Sequence, residues 1–240
     1  MFKISFITIT LNNKEGLLKT IESYKSFNQK FKNTEIIVVD SLSVDGSDLL
    51  INKYSKLIDK YICEKDNGIY DAMNKGIDYC TGDFICFMNA GDCIIADNMY
   101  DLTKLIDSNS TCYIGDVVWD KKINSFKQLY FCPFLLRLPI HQAMLIPKVN
   151  CFRFNLEYDI ASDLDQKIKI IKLNDFKIYK LKIVLSESGG KSQTILSLKE
   201  IFIRAVEFYK IAYFHYGFLS GLINYLKFVI WHSYVFYFKK

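Results

Sequence analysis

Four carboxylates stand where a chain of alternating strands and helices would present groups to a ligand. Asp40 closes the apolar run Glu35-Ile36-Ile37-Val38-Val39, and Asp66 opens the turn Asp66-Asn67-Gly68. Asp92 closes Asn89-Ala90-Gly91-Asp92, and Asp163 lies in the acidic stretch Tyr158-Asp159-Ile160-Ala161-Ser162-Asp163-Leu164-Asp165. In parallel α/β sheets ligands collect at the carboxyl ends of strands, so acids that end strands are the first candidates. A carboxylate closing a buried strand can accept hydrogen bonds from hydroxyl or base groups, which suits Asp40. Asp45, in Asp45-Gly46-Ser47, fits a turn and helix cap as well as a ligand contact. An acid beside a diphosphate repels it unless a divalent cation lies between them. Asp92 is therefore the candidate metal ligand, with Asn89 as a neutral oxygen donor suited to Mg²⁺ or Mn²⁺. The acids at 159, 163 and 165 read first as helix-start residues that meet the macrodipole and cap free N–H groups, and only second as carriers of a general base.

These residues need a frame. Strand-like runs at 3–10, 34–40, 59–63 and 83–89 alternate with helical patterns at 14–27, 46–57 and 68–80, the signature of a parallel α/β sheet. Further strands are expected at 111–118, 126–131, 143–147 and 177–185, with helices near 95–108 and 159–172, so the second half is expected to be mixed. The stretch Glu64 to Asp92 packs an acidic glycine turn, a short helix, an apolar strand and an acidic strand end together, the layout of a nucleotide-sugar site.

At 240 residues and 50% hydrophobic, the chain can bury one full core with an appendage. A formal charge of +5 from 31 Lys and Arg against 26 Asp and Glu, without a basic recognition motif, argues against nucleic acid as a partner. Seven cysteines sit mostly in apolar runs with no CxxC pair, as reduced core thiols of a cytosolic protein would. The strand pattern from Lys3 leaves no room for a cleavable leader, so export is not expected.

Ser5 to Thr10 with Asn12-Asn13, Val39-Asp40 with Ser43-Val44-Asp45-Gly46-Ser47, Asp66-x-Gly68-Ile69-Tyr70-Asp71-Ala72-Met73-Asn74-Lys75-Gly76-Ile77, and Asn89-Ala90-Gly91-Asp92 together resemble bacterial family-2 glycosyltransferases. These are GT-A-fold enzymes of polysaccharide and O-antigen assembly, and the resemblance covers about residues 1–190. It implies an inverting transferase using a nucleotide-diphosphate sugar, by default a UDP-sugar, with a divalent metal and a lipid-linked or growing glycan acceptor. It places Thr10, Asp40, Asp66 and Asn74 at the donor nucleotide, Asn89 and Asp92 at the Asp-x-Asp metal motif, and Asp163 as the base, with Asp165 second. His141, in His141-Gln142-Ala143, is placed toward acceptor or diphosphate. Two departures stand out: Asn89 replaces the first acid, and Ser41-Leu42 stands where the family often has glycines.

Arg153 and Lys191, the latter in Gly189-Gly190-Lys191-Ser192, are further candidates for the diphosphate, with a flexible anion-holding lid and an ordinary linker as the two readings of that loop. The composition shifts there, so the catalytic domain is expected to end near 192, followed by a helical segment 193–240. Between Ile211 and Phe238 only Lys227 is formally charged, and Arg204, Lys210, Lys239 and Lys240 flank the aromatic run. In-plane helices on an inner-leaflet membrane surface are preferred to a span or to a helical pair packed on the domain. His215 and His232 carry no role. Against the transferase stand a nucleotidyltransferase, which would need a basic glycine-rich loop where Thr10-Leu11-Asn12-Asn13 stands, and a non-catalytic sugar-nucleotide-binding subunit, suggested by Asn89.

Overall fold

The computed structural model describes residues 2–119, 122–124, 131–132, 135–136, 138–186 and 198–238. Its first half alternates β1 (Ile4–Thr10), α1 (Lys14–Lys30), β2 (Thr34–Asp40), α2 (Ser47–Lys53), β3 (Lys60–Cys63), α3 (Ile69–Tyr79) and β4 (Phe84–Phe87). There follow β5 (Cys93–Ile94), α4 (Ala96–Lys104), β6 (Thr111–Trp119), β7 (Lys122–Asn124), and the small pair β8 (Phe131–Cys132) and β9 (Leu135–Leu136). A 3₁₀ turn at His141–Ala143 leads into β10 (Met144–Pro147), then α5 (Ser162–Leu173), β11 (Asp175–Ser186), α6 (Leu198–Tyr216) and α7 (Phe218–Phe238). The expected strand at 126–131 falls largely outside the described residues.

The main sheet runs β3-β2-β1-β4-β10-β6-β11-β5, with β7 on β6. β1, β2, β3 and β4 are parallel, and β6 with β11 shares their direction, while β10 and β5 run against them. These reversed strands, with β7 also antiparallel to β6, make the second half mixed, as its irregular spacing implied. Strand alternation divides the core in two. Phe6, Ile36, Val38, Phe84 and Cys86 face α1, whose Leu17, Ile21, Tyr24 and Phe27 repeat at helical spacing. Ile7, Ile37, Val39, Ile85 and Phe87 face the other layer, with Ala72 and Met73 of α3. Gly76 lets α3 lie close on β1, since a Cβ there would stand 2.4 Å from Ile7 Cγ2.

α6 and α7 form a hairpin turned at Gly217 (φ 87°), with Phe208 and Phe228 rings 4.9 Å apart. α6 is not detached from the rest. Its Ile211, with Phe208 and Tyr216, packs on Ala161, Leu164 and Ile168 of the α5 region. Among the described residues no helix is long and apolar enough to cross a membrane.

Candidate active site

Thr10, Asp40 and Cys63 are in register across the ends of β1, β2 and β3, so the donor-side candidates meet at one sheet edge. Asp40 is 1% exposed, and its Oδ1 accepts from the Ser43 N–H at 3.0 Å and the Ser43 hydroxyl at 2.5 Å. The Tyr61 hydroxyl donates to Oδ2 at 3.3 Å. The loop after Asp40 is tied to the β1–α1 loop: the Asn12 N–H donates to Ser43 Oγ at 2.8 Å, and the Val44 N–H donates to Asn12 Oδ1 at 2.8 Å. Asn12 and Leu42 hold φ of 50° and 59°, the left-handed region. For Leu42, where the family often has glycine, this costs roughly 1–2 kcal/mol. Asp45 accepts from the Lys14 N–H at 2.7 Å and the Ser47 N–H at 3.1 Å, so it bridges two helix starts.

Asp66 accepts from the Gly68 N–H at 3.0 Å, shaping the turn into α3. Thr10 is 6% exposed and its hydroxyl has no protein partner, which leaves it a group to offer a ligand. Asn74 is a correction. It is 2% exposed and exchanges two hydrogen bonds with the backbone of Phe154, Nδ2 to the carbonyl at 2.9 Å and Oδ1 from the N–H at 2.8 Å. Its amide fastens a loop to α3 and does not face a nucleotide.

Asn89-Ala90-Gly91-Asp92 is a preformed turn, with Gly91 at φ 107°. The Asn89 N–H donates to Asp92 Oδ2 at 2.9 Å, and the Ser186 hydroxyl donates to Oδ1 at 2.5 Å. Thr20 braces the turn, donating to the Asp92 carbonyl at 2.7 Å and accepting the Gly91 N–H at 3.0 Å. Burial raises the Asp92 carboxyl above the ordinary range, against the pull of Ser186, the Asn89 N–H and Gln142. Beside it the Asn89 Oδ1 is buried without a partner. A buried acid lacking a counter-charge and an orphaned amide oxygen on one turn fit a divalent cation shared with phosphates and water, the usual Mg²⁺ arrangement. Among the described residues no cluster of three or more acidic, His or Cys side chains offers a fuller protein cage.

Asp163 sits in the first turn of α5, its side chain 28% exposed. Lys167, one turn on, pairs with Oδ2 at 2.8 Å, and the Tyr70 hydroxyl lies 3.2 Å from Oδ1 and 2.6 Å from the Ile160 carbonyl. Burial works to raise its pKa, but Lys167, His141 and Tyr70 outweigh it and hold the carboxyl below its usual value. Burial pushes the His141 imidazole down to about 4, with Asp163 opposing, so at neutral pH it carries no charge. His141 stands edge-on to Phe87, centroids 6.3 Å apart, with its Nε2 buried and unpaired. Tyr70, Phe154 and Phe87 continue this aromatic wall.

Asp165 is not an alternative base: it is 2% exposed and paired with Lys169 at 2.6 Å and His215 at 2.7 Å. His215, assigned no role from sequence, thus ties α6 to α5. Arg153 pairs with Asp78 near the far end of α3, away from the strand carboxyl ends, and does not meet the diphosphate side. Lys191 lies outside the described residues. Lys167 was legible as the i+4 partner of Asp163. Tyr70, Gln142 and Ser186 acquire their places only through the fold.

The sheet order, its one-sided cluster of acids and the Asn89–Asp92 turn define a GT-A-type nucleotide-sugar fold. The profile of Glycosyl transferase family 2 matches residues 5–154, and the chain belongs to that family. A PGL/p-HBAD biosynthesis glycosyltransferase of Mycobacterium bovis is 26% identical over 206 residues, covering 80% of each chain. The amylovoran biosynthesis glycosyltransferase AmsB of Erwinia amylovora is 32% identical over 114 residues, 45% of this chain and 37% of that one. An uncharacterized glycosyltransferase of Mycobacterium tuberculosis is 33% identical over 90 residues, and the match spans about a third of its length, 34%, and 37% of this chain. Among solved structures, Staphylococcus aureus TarS 1-349 in complex with UDP-GlcNAc superimposes with a TM-score of 0.71 at 15% identity, over 98% of this chain and 73% of that one. The mannosyltransferase PcManGT of Pyrobaculum calidifontis, with GDP-Man and Mn²⁺, gives 0.62 at 13% identity, over 97% and 75%. At these identities the structures establish the fold.

Proposed function

We propose that this protein is an inverting glycosyltransferase that moves one sugar from a nucleotide diphosphate, with UDP as the default nucleotide, to a lipid-linked or growing glycan. The observation that carries the proposal is Asp163: an ionised, partly open carboxylate beside a neutral histidine, on a different element from the acids at the strand ends. In the reaction, an acceptor hydroxyl attacks the anomeric carbon from the face opposite the leaving group. Asp163 takes the hydroxyl proton as the new C–O bond forms, and the bond to the diphosphate oxygen breaks with its electrons on the leaving nucleotide. Thr10, Asp40 and Asp66 hold the nucleoside end, and the uncharged His141 orients the acceptor without competing for its proton. Mn²⁺ or Mg²⁺, held by Asp92 with Asn89, would neutralise charge developing on the diphosphate.

The acceptor is expected at the inner face of the cell membrane, with the protein peripheral to it. On the α6–α7 hairpin Phe214 is 73% exposed, Phe218 62% and Ile230 68%, apolar side chains open to a lipid surface, with Arg204, Lys210 and Lys227 along the same helices. Nucleotide release across UDP-, GDP- and dTDP-sugars, with Mn²⁺ or EDTA and with a membrane lipid extract, tests the whole reading. Release with one donor that needs both metal and extract supports it. No release with any donor, where a known transferase works on the same extract, would favour a non-catalytic subunit that binds sugar nucleotides.

A further inference from the structure

α5, the helix that carries Asp163, begins without a cap of its own. Its N-cap is Ala161, whose side chain has no acceptor, and the Ser162 hydroxyl is buried without a partner. The free N–H groups at a helix start must be satisfied, and an anion there is favoured by the macrodipole. Here one such donor, the N–H of Ala161, is met by a carboxylate from another helix, which also holds the two residues before it. Glu207 of α6, 7% exposed, accepts from the N–H of Asp159 at 2.8 Å on Oε1, and from those of Ile160 at 3.1 Å and Ala161 at 2.8 Å on Oε2. The carbonyl of Ile160, in the middle of this clamped segment, accepts from Tyr70, whose hydroxyl also lies against Asp163. A second grip lies further along α5, where Lys172 donates to the His215 carbonyl at 2.9 Å and Asp165 meets the His215 ring.

We infer that Glu207 is a positioning residue for the transfer reaction: from α6 it locks residues 159–161 and so fixes where Asp163 points. The inference rests on Asp163 acting as the base. Two carboxylate oxygens serve three donors, a task that an amide of the same shape cannot perform, because its NH₂ would face one or two backbone N–H groups. Releasing the segment lets the first turn of α5 shift, and a displacement of about 1 Å at a reacting group costs on the order of 100-fold in rate. Thr10, Asp40, Asp66 and Asp92 stand on other elements and keep their places.

The test compares wild type with Glu207→Gln, Glu207→Ala and Glu207→Asp, using whichever sugar nucleotide of the donor panel the wild type turns over and the membrane lipid extract as acceptor. Steady-state nucleotide release gives kcat and donor KM, and titration calorimetry with the same sugar nucleotide gives binding stoichiometry. For the Gln variant, kcat is expected to fall about 10- to 100-fold, with donor KM within about twofold and stoichiometry unchanged. The Asp variant, which keeps the charge, is expected to recover part of the loss, and the Ala variant to lose at least as much as Gln. Wild-type kcat in the Gln variant, or a loss that falling stoichiometry fully accounts for, overturns the inference while leaving the transferase reading standing. A wild type that releases no nucleotide from any donor overturns the transferase reading itself, and this inference with it.

Discussion

Replacing Asp163 by Asn separates chemistry from folding. The amide keeps the shape of the carboxylate and can still accept from Tyr70 or Lys167, now 3.2 Å and 2.8 Å from its oxygens, but it cannot take up a proton. Loss of a general base costs about 10²–10⁴ in rate, or roughly 3–5 kcal/mol of barrier. The structural cost is smaller. An i,i+4 ion pair on a helix contributes about 0.3–0.5 kcal/mol, and an acid in the first turn about 0.3–1. A combined loss near 1 kcal/mol lowers Tm by roughly 2–4 °C in a chain of this size. The assay is nucleotide release with donor and acceptor saturating, alongside a calorimetric melt. The sign of the pH dependence follows from the held-down carboxyl: activity needs Asp163 ionised, so kcat falls only as pH drops through a value below the ordinary aspartate range. With His141 down at about 4, neither group gives a limb near neutrality. A kcat for Asp163→Asn within about threefold of wild type, or an acid limb centred near 6.5, where an ordinary histidine titrates, would refute the assignment of the base.

Asp92→Asn should abolish the response of turnover to added Mn²⁺, and a Mn²⁺ titration against EDTA-treated protein reads this; an unchanged response would remove Asp92 from the metal site. Asn74→Ala should cost about 2 kcal/mol in denaturant unfolding, because the buried Phe154 backbone loses both partners. Donor affinity by calorimetry should stay within about twofold, and a selective loss of donor binding would restore Asn74 to the nucleotide site. Glu35 is buried, which alone would raise its carboxyl, but Lys3, Ser5 and Thr81 pull it down to about 2. Against an ordinary value of 4.5 this amounts to about 3 kcal/mol of stability, present above pH 4.5 and lost as pH falls toward 2. Guanidinium unfolding at pH 7 and pH 3 should show that slope in wild type and a shallower one in Glu35→Gln. Phe218→Ser with Leu219→Ser, at 62% and 60% exposed, should leave Tm unchanged and weaken co-sedimentation with anionic lipid vesicles; undiminished sedimentation would count against the hairpin as the membrane-facing surface.

How much of this was legible in the residues varies with the range of the forces involved. The first-half strands and helices, the strand-end place of Asp40 and the turn that carries Asp92 follow from local periodicity, since alternation of apolar residues and glycine-bearing turns act over a few residues. β10 reversing between β4 and β6 is a pairing across dozens of residues, which local pattern does not encode. Asn74 shows the same limit on a smaller scale, because its place in the motif is local while its partner, Phe154, lies 80 residues away. The aromatic tail read as a segment apart from the domain, since composition shifts sharply after 192. By itself the sequence determined an α/β sheet with acids at its ligand-binding edge and an acidic helix start that could hold a base. Only the tertiary structure decided that Asp163 faces Tyr70, Lys167 and His141 while Asp165 turns to His215, because the two acids, two residues apart on one helix, point to different sides. It also decided that the segment entering α5 is held by Glu207 of α6, because the N–H groups of Asp159, Ile160 and Ala161 must find an acceptor wherever packing delivers one.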